Sequence, residues 1–177
     1  MEKKHITVAV SGAFDPIHVG HIRYIQEAAK LGDKLIVILN SDHFLMQKKG
    51  FVFWPYEDRK EILQSIKGVD EVVAAVDDDQ TVRKTLELIK PDIFAKGGSW
   101  VNRKNIPELE TCRNIKCRVV THVGGEQVWE EAELTAKVKE IGMEHAKGIR
   151  IQCPYCDDHP MLKEKCHYCG GTGKIAV

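Results

Sequence analysis

Neither sign of charge is in excess in this chain: 26 Lys and Arg residues stand against 26 Asp and Glu, scattered rather than banded. General nucleic-acid binding needs a basic face to neutralise phosphates, so a nucleic-acid partner is not expected. Long apolar runs are missing as well. No stretch approaches the roughly 20 apolar residues that span a bilayer, and Met1-Glu2-Lys3-Lys4-His5 leads straight into a strand-like run with no signal-like segment. The expectation is a cytoplasmic protein with no membrane partner. In a reducing compartment its six cysteines read as thiols or metal ligands before disulfides. No internal repeat of fold scale is present.

What is there is a chain of 177 residues, enough for one medium domain with a sizeable core and a small appendage. Apolar, β-branched runs at 6–10, 34–39, 71–76, 93–95 and 116–121 alternate with stretches of helical period at 22–30, 56–66, 80–90 and 131–146. Strand and helix in alternation predict a Rossmann-like, doubly wound α/β fold with a parallel sheet covered on both faces. Ligands bind such sheets beyond the strands' carboxyl ends. The segments 12–21, 41–49 and 96–100 all follow strands, and should converge on one crevice. Composition changes near Gly148 to cysteine, glycine and proline, which predicts two domains, 1–147 and 148–177.

The richest text follows the first strand: Ser11-Gly12-Ala13-Phe14-Asp15-Pro16-Ile17-His18-Val19-Gly20-His21. A glycine-hinged turn entering a helix offers unpaired N–H groups and a positive dipole end, where an anion docks. His18 and His21 flank Gly20 at the helix mouth and can both donate to the oxygens of one phosphate. The bland reading is that the two rings only cap the helix.

Gly12-Ala13-Phe14-Asp15 with His18-Val19-Gly20-His21 resembles the signature of the cytidylyltransferase-like nucleotidyltransferases. The similarity continues through 31–42, Tyr56-Glu57-Asp58-Arg59-Lys60, 68–73 and Lys90-Pro91-Asp92-Ile93-Phe94-Ala95-Lys96-Gly97-Gly98. Within the family, the heptose-1-phosphate adenylyltransferases and the glycerol-3-phosphate cytidylyltransferases stand out. The resemblance implies that a nucleoside monophosphate passes from ATP or CTP to a small phosphorylated acceptor with release of pyrophosphate. His18, His21 and Lys48 would be catalytic, with Mg²⁺ bridging the phosphates. Gly12, Ala13, Phe14, Asp15, Gly20, Arg59, Lys96, Gly97, Gly98 and Thr135 would bind nucleotide, Arg59 by a two-pronged grip on the triphosphate. Relatives are commonly homodimers.

Two places depart from the family pattern. An Ile-Ser-Thr-Thr-like string holds the β- and γ-phosphates in relatives, whereas this chain reads Glu133-Leu134-Thr135-Ala136-Lys137-Val138 and keeps Thr135 alone. That departure motivates an alternative, a catalytically weak nucleotide-binding adaptor. The second departure replaces a lysine of the glycerol-phosphate branch with Val76, followed by Asp77-Asp78-Asp79. Carboxylates suit sugar hydroxyls better than a second phosphate, so Asp42 and Asp77 are assigned to a sugar or polyol phosphate acceptor.

Cys153-Pro154-Tyr155-Cys156 and Cys166-His167-Tyr168-Cys169 form two C-x₂-C pairs, flanked by short strand-like runs at 149–151 and 174–177. Each pair aims two sulfurs at one point, and two pairs complete a tetrahedral thiolate site. A closed four-thiolate site predicts a structural Zn²⁺ in a small C-terminal ribbon, which in the adaptor alternative docks a partner. Cys112 and Cys117 have the wrong spacing to join it and read as ordinary thiols.

Overall fold

The computed structural model describes residues 5–97, 106–125, 136, 150–152 and 174–176. The chain divides into two compact units, Met1–Val128 and Trp129–Val177.

The first unit carries five parallel strands: β1 (Thr7–Gly12), β2 (Lys34–Leu39), β3 (Glu71–Ala74), β4 (Ile93–Gly97) and β5 (Arg118–Val123). Their order in the sheet is β3-β2-β1-β4-β5. This is the Rossmann-like parallel sheet that the alternation predicts. The order reverses between β1 and β4, so the switch point opens beside the carboxyl end of β1, where Gly12 leads into the signature turn. β1 and β2 pair along their whole length, from Thr7 opposite Lys34 to Gly12 opposite Leu39.

Five helices connect the strands: α1 (Val19–Ala29), α2 (Asp42–Lys49), α3 (Tyr56–Gln64), α4 (Arg83–Ile89) and α5 (Leu109–Asn114). Successive strand residues point to opposite faces. Val8, Val10, Leu35, Val37 and Leu39 pack with Tyr24, Ile25 and Ala28 of α1 and Leu63 of α3. Ala9, Ile38 and Phe94 face the other way, onto Val82 and Leu86 beside and within α4, and onto Cys112 of α5. Both faces are buried, and the strands are accordingly near-continuous apolar text.

Elements depart from expectation where local caps outweigh apolar period. α2 has little apolar periodicity, yet Ser41 accepts from the Phe44 amide at 3.2 Å at one end and Gly50, at φ 83°, ends it at the other. α1 starts earlier than the predicted 22–30, because His18 caps it. α4 starts later than 80 because the carboxylate of Asp77 takes the amides of Lys84 and Thr85. The helix expected over 131–146 lies outside the described residues except for Ala136.

In the second unit, β6 (Arg150–Gln152) and β7 (Lys174–Ala176) pair antiparallel, with Gln152 opposite Lys174. The four cysteines of the expected zinc site, Cys153, Cys156, Cys166 and Cys169, lie outside the described residues. No helix among the described residues is long and apolar enough to cross a membrane.

Candidate active site

The turn after β1 positions the site. Phe14 sits in the left-handed region at φ 52°, and its buried ring lies over Gly12, where a Cβ would come within 2.9 Å of it. The same ring meets His21 edge-on, with centroids 5.1 Å apart. His21 and His18 stack at 3.8 Å. Gly12 and Phe14 thus build the wall against which the histidine pair rests.

The hydrogen bonds of the two rings fix their tautomers. His18 Nδ1 accepts from the Gly20 amide at 3.1 Å, and His21 Nδ1 accepts from the His18 amide at 3.4 Å. A neutral imidazole that accepts through Nδ1 carries its proton on Nε2. Both rings are kept neutral. Burial pushes His18 below its ordinary pKa, and burial together with the neighbouring His18 pushes His21 down to about 3. The bland and the functional readings of this pair are therefore compatible: one nitrogen of each ring caps the helix, and the other is an N–H donor.

The helix mouth is also electrostatically distinct. α2, α3 and α5 each carry acidic residues in the first turn, namely Asp42, Glu57 with Asp58, and Glu110. α4 receives the carboxylate of Asp77 instead. α1 has no acidic residue in its first turn, only the two imidazoles. Its dipole end thus carries no carboxylate from its own first turn.

Around this mouth, one buried and one part-buried ion pair hold the loops together. Lys49 lies 2.8 Å from Asp15, and also donates to the Asp15 carbonyl. The Asp15 carboxylate accepts from the amides of Phe53 and Trp54 at 2.8 and 2.7 Å. Arg59, 1% exposed, donates to the carbonyls of Ala13, Asn40 and Trp54 and pairs with Asp42 at 2.6 Å. Asp42 in turn accepts from the Tyr56 amide.

This arrangement gives several charged residues that were expected to meet ligand a partner within the protein. Arg59 grips three protein carbonyls and a carboxylate. Asp15 and Asp42 are engaged by amides and cations of the protein. Asp77 accepts from two helix amides and from the Thr85 hydroxyl, so it organises α4. Buried ion pairing and ligand binding draw on the same residue types, so the sequence alone does not separate the two roles.

Of the expected lysines, Lys48 is exposed on α2, with its ammonium 5.9 Å from the Phe44 ring. Lys96, at the end of β4, is buried and lies 3.5 Å from Glu108. Burial lowers the Lys96 pKa, Glu108 counters that, and Lys48 adds to the depression. The two lysines therefore share one electrostatic environment. Glu108, 3% exposed, was not legible in the sequence, since no motif surrounds it. Gly97 lies beside the Tyr24 ring. Gly98 and Thr135 lie outside the described residues. Cys112 and Cys117 are buried free thiols.

Among known proteins, the chain is 39% identical over 135 residues to an FAD synthase of Ferroglobus placidus, covering 76% of this chain and 84% of that protein. It is 32% identical over 162 residues to an FAD synthase of Archaeoglobus fulgidus, covering 91% and 98%. It is also 42% identical over 95 residues to the bifunctional protein HldE of Hahella chejuensis, of which it spans only 20%. Among solved structures, a lipopolysaccharide core biosynthesis protein of Thermoplasma volcanium superposes with TM-score 0.59 at 27% identity, over 67% of this chain and 97% of that one. The family description "Cytidylyltransferase-like" matches residues 9–150. Signature turn, parallel sheet and family match agree, and the chain belongs to the cytidylyltransferase-like family of nucleotidyltransferases.

Proposed function

We propose that this enzyme transfers the adenylyl group of ATP to a phosphate monoester, with FMN as the acceptor. ATP is favoured over CTP because relatives matched along most of their length are FAD synthases. FMN ends in a ribityl phosphate, which is a polyol phosphate, one of the acceptor classes expected from the sequence. In the reaction an acceptor phosphate oxygen attacks the α-phosphorus in line. One P–O bond forms, the bond to the β-phosphate bridge breaks, and pyrophosphate leaves.

The observation that carries this reading is the stacked pair His18 and His21, neutral, with both Nε2–H groups as donors at a helix mouth that has no acidic residue in its first turn. Such donors stabilise the charge that grows on the α-phosphate oxygens during attack and require no proton transfer. Lys48 and Lys96 supply positive charge toward the leaving phosphates, and Gly12, Ala13, Phe14, Asp15, Gly20 and Gly97 shape the nucleotide's seat, with Arg59 fixing it from below. Enzymes of this family typically use a divalent cation. Among the described residues no group of three His, Cys, Asp or Glu could hold a metal, and Asp15 and Asp42 are engaged by protein groups. A Mg²⁺ ion entering with the nucleotide would neutralise charge on its phosphates.

Residues 148–177 are proposed as a zinc-binding ribbon with Cys153, Cys156, Cys166 and Cys169 as ligands. The pairing of Gln152 with Lys174 supports this, because it brings together the two ends of the cysteine-bearing segment.

The test is pyrophosphate release with ATP or CTP against FMN, heptose 1-phosphate and glycerol 3-phosphate, with the product identified by mass. ATP with FMN should give FAD. His18→Asn and His21→Asn should each lower kcat by roughly 10²–10³. Release with none of the pairs, while nucleotide still binds, would overturn the proposal in favour of the adaptor.

A further inference from the structure

Phe53 and Trp54 are adjacent, 44% and 41% exposed, and their rings meet edge-to-face at 5.1 Å and 83°. Exposed apolar side chains are ordinary when scattered on mobile loops. These two are neither scattered nor loosely held. Their amides donate to the Asp15 carboxylate at 2.8 and 2.7 Å, the Trp54 carbonyl accepts from Arg59, and the same Arg59 holds the Ala13 carbonyl. Asp15 and Ala13 belong to the signature turn that ends at the His18 cap. The backbone of residues 53 and 54 is thus clamped against the phosphate turn by two buried charges, and both rings are left facing outward.

We infer that Phe53 and Trp54 form the platform on which the planar ring of the acceptor stacks, an inference that rests on the FMN reading above. A flat aromatic acceptor such as an isoalloxazine needs an aromatic face close to the position of the reacting phosphate, and no other exposed aromatic among the described residues is tied to the signature turn. Pre-fixing the platform matters because a rigid face loses little freedom when the ring lands on it. The clamp uses backbone N–H and C=O groups, so it does not depend on the identity of either side chain.

Because only side-chain atoms beyond Cβ are involved, Phe53→Ala and Trp54→Ala keep the clamp, and their melting temperatures should match the parent protein. Riboflavin carries the ring without the phosphate and isolates the contact. Its fluorescence should be quenched on binding to the parent protein, as expected for a flavin stacked on indole. Trp54→Ala should weaken riboflavin and FMN binding by roughly tenfold and remove most of the quench, and Trp54→Phe should restore affinity but not the quench. Unchanged riboflavin and FMN affinities in both alanine variants, with FMN still converted to FAD, would overturn the platform and leave the FMN reading intact. Failure of the parent protein to bind or convert any flavin would overturn both. A change of oligomeric state in the alanine variants without a change in flavin affinity would assign the pair to contact between copies instead, and so also overturn the platform.

Discussion

At the residue scale, the feature that carries the proposal is a pair of histidines that each accept a backbone amide through Nδ1 and so keep the proton on Nε2. That division has a pH consequence. The folded-state pKa of His21 is about 3, below the ordinary 6.5, so the unfolded chain binds more protons in between. Stability from this group is complete above pH 6.5 and is lost as pH falls toward 3. Between pH 6.5 and 5, before most carboxylates titrate, the loss should reach about 2 kcal/mol. Thermal or denaturant melts across that window check it. His21→Gln, which cannot titrate, should flatten the slope, and a parent curve that is flat over the same window would contradict the buried neutral state.

The sequence made the histidines legible because their spacing around a glycine is itself geometric information. It could not reveal which nitrogen faces where. That depends on the backbone amides of His18 and Gly20, which act as donors only once α1 has formed.

At the scale of elements, Arg59 of α3 ties the signature turn, the end of β2 and the start of α2 into one frame. Arg59→Lys keeps the charge but cannot reach the carbonyls of Ala13, Asn40 and Trp54 together with Asp42. It should cost about 3 kcal/mol of stability, because buried acceptors lose their donors. The KM for nucleotide should rise with it, since the turn loosens, and both are read from a urea melt and initial rates. An unchanged melt would show the buried fork to be dispensable.

A second element-scale contact fixes the helix that carries the histidines. Gly124, at φ 88° just beyond β5, lies so close to α1 that an added Cβ would sit 2.5 Å from the Tyr24 Cα. Tyr24 in turn donates to the Ala95 carbonyl of β4 at 2.6 Å. Gly124→Ala should therefore destabilise the protein by roughly 2 kcal/mol or more and weaken nucleotide binding, through strain at the positive φ and displacement of α1. Calorimetric melting and ATP titration measure the two effects. The role of Gly124 as the seat of α1 is not legible in the sequence, because the contact joins residues 100 positions apart.

At the scale of the whole molecule, the chain combines a nucleotidyltransferase unit with a cysteine-rich segment. The zinc proposal predicts one zinc per chain by elemental analysis, lost on Cys153→Ser or Cys166→Ser. Chelation should abolish far less of the helical circular dichroism than unfolding does, since the described helices α1 to α5 precede residue 129. A zinc content near zero in protein prepared without chelator would remove the proposal.

What the sequence determined by itself was periodic and local: five apolar β-branched runs, the helices that alternate with them, the glycine-hinged turn and the histidine spacing. Alternation is enough to predict a parallel sheet, because parallel strands need crossovers and crossovers are helical. The tertiary structure alone decided which protein groups each charged residue meets. Asp15, Asp42, Asp77 and Arg59 look like ligand contacts in one dimension, and only folding brings each against its partner. The physical reason is that a charge is stabilised by whatever opposite charge or N–H group lies nearest in space, and sequence spacing does not specify that neighbour beyond a turn or two.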